Sequence, residues 1–156
     1  MFFLAIAADD ARAGDLDTYL DLLERLWRGP EVSDEEHIVF QEQLDGFPEM
    51  QGEEEPPGIL AFAYDAVAAM YYAYAYLVSG DLSNITYCSN HMLNSAGYID
   101  DATKGHTSRY DEEIAAQLAD VDALSKDLMT IDLALIRDRS RAASRDRMES
   151  LREVFQ

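Results

Sequence analysis

Basic side chains are scarce in this 156-residue chain, cysteine occurs once and proline four times, and each shortage closes off a class of answer. Twelve Lys and Arg against 31 Asp and Glu leave a formal net charge of −19. A field of that sign repels phosphate backbones and anionic headgroups, which argues against direct nucleic-acid binding and against a membrane surface and favours a basic protein partner. The single cysteine, Cys88, excludes an intrachain disulfide and a thiolate zinc cluster. The eight glycines are scattered, so no phosphate-cradling loop is present, and no G-x-S-x-G elbow occurs. Strand signals are nearly absent, since no short segment alternates cleanly between hairpin-type turns.

What is present is a core-forming composition, with 48% hydrophobic and 28% charged residues. The acidity therefore decorates a folded protein, and the length predicts one domain, residues 1–156. Residues 1–8 are apolar but lack a positive n-region, are short for a signal peptide and run into Asp9 and Asp10, so a cytoplasmic address is expected. Residues 59–78 approach the length of a membrane span. They contain Asp65 and five tyrosines (Tyr64, Tyr71, Tyr72, Tyr74, Tyr76) with no adjacent Lys or Arg, and so predict a buried helix of a soluble protein.

Helical periodicity fills the chain. A short helix is expected over residues 2–11. Asp15 is a candidate N-cap for the next, whose Leu16, Tyr19, Leu20, Leu23, Leu26 and Trp27 form one face before Gly29 and Pro30. Ser33 and Glu36 make a capping box opening a third helix with Ile38, Val39, Phe40 and Leu44. Residues 58–78 form a central helix, apolar on every side except at Asp65, and Gly80 ends it. Asp81 can cap a fifth, with Ile85, Cys88, Met92, Ala96 and Ile99 as a core stripe and Tyr87, Asn90, His91, Asn94 and Tyr98 as another. A sixth helix, residues 110–129, offers Ile114, Leu118, Val121, Leu124 and Leu128 as an inner face, with Glu112, Asp120 and Asp127 outside. Residues 137–156 form a basic amphipathic C-terminal helix. The predicted fold class is all-α: a compact bundle of six or seven mostly antiparallel helices around the central one.

The charge is unevenly placed. Residues 1–136 sum to −21, whereas residues 137–156 carry +2. The densest stretch holds Glu31, Asp34, Glu35, Glu36, Glu42, Asp45, Glu49, Glu53, Glu54 and Glu55, with no Lys or Arg between them. Such a run reads either as a solvated face or as a docking surface for a cationic protein. The uncharged stripe of Tyr87, His91, Asn94 and Tyr98 has an interface-like composition, or packs as a polar layer between helices. Asp65, in an apolar helix, needs a partner, for which a tyrosine hydroxyl or a C-terminal arginine is the natural candidate.

Catalytic signals are thin. Cys88 and His91 stand three residues apart, as a nucleophile and base could on one helix face, but Cys88 belongs to the core stripe. His37, His91 and His106 lie in separate elements without H-E-x-x-H spacing, so no metal and no cofactor are expected.

Residues 16–27 (LDTYLDLLERLW), a short acidic helix ending in Phe47-Pro48, and residues 63–81 (AYDAVAAMYYAYAYLVSGD) resemble the YjaG-like family of bacterial all-helical proteins of unknown function. Glu113-Ile114-x-x-Gln117 is similar to that family's late Glu-Leu-x-x-Gln element, so the resemblance covers residues 2–128. Members begin with additional helical sequence before the Trp-ending helix, a region this chain enters partway at Met1. The resemblance implies an all-helical fold and supplies no catalytic residues. In size, helical build and acidity the chain also resembles the small immunity proteins encoded beside bacterial toxins. The expectation is therefore a non-enzymatic binding module for a basic partner, in particular an immunity protein neutralising a toxin. The alternatives are a DNA-mimic or anti-nuclease inhibitor and an enzyme with a site assembled in the helical core. The basic tail also leaves homo-oligomerisation open.

Overall fold

A computed structural model describes residues 12–29, 33–52, 56–104, 108–126 and 133–154, with the side chains at 13, 34, 124–126, 133, 135 and 147–154 excepted. The expected helix over residues 2–11 and His106 lie outside these. Among the described residues the protein is all-α: six α-helices and one 3-10 turn. The chain divides into two compact units, Met1–Ser95 and Ala96–Gln156.

The first unit opens with α1 (Ala13–Leu26), two residues ahead of the expected cap at Asp15. Asp15 instead sits in the first turn and accepts from Arg12 Nε at 2.7 Å. The early start follows from Arg12, whose other two nitrogens hold Glu49 in a bidentate pair at 2.6 and 2.9 Å and so fix the backbone just before the helix. The inward residues are Leu16, Tyr19, Leu22, Leu23 and Leu26, with Leu22 fully buried and Leu20, expected inside, half exposed. Both leucines lie three or four residues from other inward positions, but at 100° per residue the buried face is centred about 60° from Leu22 and about 100° from Leu20.

The second helix, α2 (Asp34–Asp45), carries the expected capping box: Ser33 accepts from the Glu36 N–H at 3.3 Å, and the Glu36 carboxylate accepts from the Ser33 N–H at 2.9 Å. The Ser33 N–H and the Ser33 hydroxyl, both donating to the carboxylate at 2.9 Å, hold the Glu36 carboxyl below its ordinary range. Of its four apolar residues, Phe40 and Leu44 are buried while Ile38 and Val39 are exposed. Phe47 and the 3-10 turn Pro48–Met50 then fold under the next helix.

That helix, α3 (Leu60–Ser79), contacts both α1 and the 3-10 turn and supplies Ala63, Ala66, Val67, Met70 and Tyr74 to the main core. Its alanines let neighbouring backbones approach closely, and its burial runs from Ala61 to Met70 before thinning. Gly80, at φ +68°, ends it in the left-handed conformation that a side chain would strain. Asp81 then caps α4 (Leu82–Ala102) as expected, accepting from the Ser83 N–H at 2.9 Å, which lowers its carboxyl pKa.

The second unit comprises the end of α4, α5 (Arg109–Lys126) and α6 (Leu133–Val154). Asp100, near the end of α4, accepts from the backbone N–H groups of Arg109 and Tyr110 at 2.8 and 3.0 Å and so caps α5 across the intervening loop. This cap fixes the rotation of α5 and corrects its expected facing. Glu113 is buried and accepts from Gln117 Nε2 at 3.0 Å, whereas Ile114, Leu118 and Val121 are exposed. Asp120, expected outside, is half-buried and pairs with Arg139 of α6.

Ser33→Ala should cost about 1 kcal/mol in a urea titration, the ordinary worth of an N-cap. Because the Glu36 pKa is depressed on folding, its contribution is present above the unfolded value and is lost as pH falls through the folded one. The stability gap between wild type and Ser33→Ala should therefore narrow on acidification below the ordinary carboxylate range; a gap independent of pH would contradict the capping-box assignment.

Candidate functional site

Three features of the first unit compete for a functional role: the buried Asp65, the acidic α2 surface and an open groove. Asp65 is 1% exposed and sits on the α3 face that meets α4. Its partners are neither of those expected. His91 Nδ1 donates to Oδ1 at 2.8 Å and Ser95 Oγ donates to Oδ2 at 3.4 Å, from positions one turn apart on α4. A residue on the helix that follows α3 satisfies the carboxylate at less conformational cost than a tail residue more than seventy positions away would.

This pairing removes His91 from the outer stripe. Its side chain is 17% exposed, with Tyr72 stacked on the ring at 5.5 Å and Tyr64 edge-on at 5.7 Å; Tyr72 in turn meets Tyr87 at 5.0 Å. Tyr87, Asn94 and Tyr98 remain exposed, so that part of the expected stripe does face outward, although Tyr98 falls in the second unit. A carboxylate that fixes an imidazole through Nδ1 resembles the orienting half of a nucleophilic triad. Here tyrosine rings occupy both the face and the edge of that imidazole, and the arrangement serves first as a polar lock between α3 and α4. Among the described residues no group of three His, Cys, Asp or Glu is placed to hold a metal.

The acidic residues divide. Glu49, expected on the docking surface, is instead buried, its side chain 3% exposed, because Arg12 claims both carboxylate oxygens. That bond and its neighbour Asp15 raise the Arg12 pKa. Glu35, Glu36, Glu42 and Asp45 are exposed along α2, which has no Lys or Arg of its own. Glu36 is spent on the cap, with Arg25 and Arg28 near enough to lower its pKa further, whereas the Glu42 to Asp45 end has no base beside it in the sequence. Glu31, Glu53, Glu54 and Glu55 lie outside the described residues, as does the side chain of Asp34.

An open groove of about 650 Å³ lies between α2 and the C-terminal part of α3, beside the Glu42 and Asp45 surface. His37, Ile38 and Gln41 of α2 form one wall; Tyr74, Ala75, Val78 and Ser79 of α3 form the other; Asp81 and Asn84 close one end. The floor is rigid. Tyr74 Oη donates to the His37 carbonyl at 2.8 Å and lies 2.7 Å from His37 Nδ1. With its only proton on the carbonyl, the phenol oxygen must accept from Nδ1–H, which assigns the tautomer. Phe40 stacks on Tyr74 at 4.1 Å, and desolvation of the Tyr74 hydroxyl raises its pKa. At the closed end Ser79 Oγ accepts from Asn84 Nδ2 and from the Asp81 N–H, both at 3.1 Å.

The groove residues His37, Ile38 and Val78 were not among the candidates that charge and composition single out. A signal was present all the same. Ile38, Val39 and Phe40 are consecutive, so on a helix they span about 200° and cannot all face one core. On an otherwise acidic helix the surplus apolar residues mark a second apolar contact.

Among the described residues no helix is long and apolar enough to cross a membrane. Comparison with protein-family models, with curated proteins and with solved structures finds no match. The function is therefore read from the residues themselves.

His91→Leu should destabilise the protein by about 3 kcal/mol, because it leaves a buried carboxylate uncompensated. Asp65→Asn, whose amide oxygen still accepts from Nδ1–H, should cost only about 1 kcal/mol. The Asp65→Leu/His91→Leu double variant should be more stable than His91→Leu alone. Chemical denaturation ranks the three, and a His91→Leu variant as stable as Asp65→Asn would show that other groups satisfy the carboxylate.

Proposed function

We propose that this chain is a non-enzymatic module that binds a cationic protein, and in particular that it neutralises a basic bacterial toxin in the cytoplasm as an immunity protein does. The observation that carries the binding role is the α2 surface: Glu35, Glu42 and Asp45 are exposed on a helix without Lys or Arg. Two of the three arginines that precede that helix are already engaged, Arg12 by Asp15 and Glu49 and Arg25 by Asp21 at 2.6 Å. Carboxylates left uncompensated in this way create a long-range field, which steers a cationic protein into encounter and raises the association rate. The toxin-directed form rests on likeness to small acidic immunity proteins in size, helical build and charge, and the YjaG-like kinship belongs to the same proposal.

The test is kinetic. The protein is mixed with the product of the neighbouring reading frame and association is followed by stopped flow as salt is raised. The expected rate falls by about tenfold or more as the Debye length shrinks below about 10 Å. Glu35→Gln/Glu42→Gln/Asp45→Asn should slow association and leave dissociation nearly unchanged. A rate indifferent to salt and to these substitutions would overturn the electrostatic reading, and displacement of DNA from many unrelated basic proteins would move the assignment to a DNA mimic.

A further inference from the structure

The groove between α2 and the C-terminal part of α3 has three properties that belong together. Its walls present Ile38 and Val78, which are 60% and 62% exposed, and Leu82 beyond its closed end is 72% exposed. Isolated exposed aliphatics are ordinary, but aliphatics on opposite walls of one groove are an anchor site. The floor is held in place by the His37–Tyr74 pair and the Phe40 stack, so a partner meets a preformed surface. The borders are anionic: Asp81 lines one end, and Asp45 accepts from Gln41 Nε2 at 2.9 Å on the α2 side.

We propose that this groove receives an amphipathic, cationic helix of the partner protein, with an aliphatic side chain seated between Ile38 and Val78 and Lys or Arg head groups over Asp45 and Asp81. The assignment rests on the cationic-partner reading and gives it a location. A helix is the occupant because two flanking helices with apolar walls accept another by laying its apolar face between them, with contacts every three or four residues. Cationic character follows from the borders and from the lining, which contains no Lys or Arg. A second copy of this chain is disfavoured because each copy carries −19 and repels its twin at long range.

The full-length protein is titrated into a labelled Leu/Lys model helix of about four turns, into a scrambled peptide of the same composition and into the Leu/Glu counterpart. Binding is read by fluorescence anisotropy. The amphipathic Leu/Lys helix should bind, the scramble more weakly and the Leu/Glu peptide not at all. Ile38→Asn and Val78→Asn change no charge, and each should weaken the Leu/Lys helix by about tenfold, the effect of losing one buried aliphatic contact. Leu118→Asn, an equally exposed aliphatic in the second unit, should leave binding unchanged. Because Ile38 and Val78 are largely exposed, both variants should keep the wild-type circular dichroism and unfolding midpoint. If the scramble binds as well as the amphipathic helix, or the groove variants bind normally while Glu42→Gln/Asp45→Asn bind weakly, the groove assignment fails and the acidic-surface reading stands. If no cationic peptide binds, both fail. Concentration-dependent dimerisation abolished by Ile38→Asn would give the groove to a second copy and overturn the proposal.

Discussion

A carboxylate buried in an alanine-rich helix is the constraint around which the first unit is arranged. Asp65 cannot be left without donors in that environment, since stripping water from an unpaired carboxylate costs several kcal/mol. It therefore dictates which face of α4 turns toward α3: the one carrying His91 and, a turn later, Ser95. Once His91 is committed, Tyr72 and Tyr64 pack on its ring and Tyr87 on Tyr72, so one polar contact orders an aromatic layer. A hydrophobic pair could supply similar stability without fixing the rotation of the helix. The hydrogen-bond geometry selects one register, because shifting α4 by a single residue would swing His91 about 100° away.

On the opposite flank, Tyr74 does the corresponding work between α3 and α2. It is buried against Phe40, but its hydroxyl must find partners, and it takes both the carbonyl and the ring nitrogen of His37. Two aromatic locks on different faces of α3 thus hold α2 and α4. The groove opens where α3 leaves the main core, at Tyr74, and where its later residues are only partly covered. Floor and opening share a cause, since the tyrosine that closes the core is the residue on which the groove rests.

Much of this architecture was legible from the sequence, for identifiable reasons. Helix class and most boundaries follow from local chemistry: the Ser33–Glu36 box, the Gly80 stop and the Asp81 cap each act within four residues of chain. Helix rotation was less legible. Leu20 reads as inward and Leu22 is passed over, the reverse of their burial, and the triplet Ile38-Val39-Phe40 gives no local reason for Phe40 alone to be buried. On α5 the apolar stripe pointed to the wrong face, because a cap from Asp100, nine residues upstream, and the buried Glu113–Gln117 contact set the rotation instead. Glu49 failed as a surface residue for the same reason. Nothing local distinguishes it from Glu42, and only the return of the chain past Arg12, 37 residues earlier, does so. Polar residues whose partners are distant in sequence are the ones periodicity misplaces.

That sorting sharpens the meaning of the acidity. Several carboxylates are consumed by folding: Asp65 and Glu49 in buried pairs, Glu36, Asp81 and Asp100 as caps, Asp21 beside Arg25. Each lowers the free energy of the folded chain through a donor it can be shown to meet. Among the described residues Glu35 and Glu42 meet none, and they stand on a helix that is already capped and already anchored by Phe40 and Leu44. Helix formation gains nothing from Glu42, since a negative charge toward the C-terminal end of a helix opposes its dipole. Mutual repulsion along a surface of one sign works against the compact state as well. A partner that brings positive charge relieves this repulsion and stabilises the fold by mass action. If a cationic partner docks here as proposed, Glu42 and Asp45 cost the free protein stability that contact returns, whereas Glu35, in the first turn, is already favoured by the helix dipole.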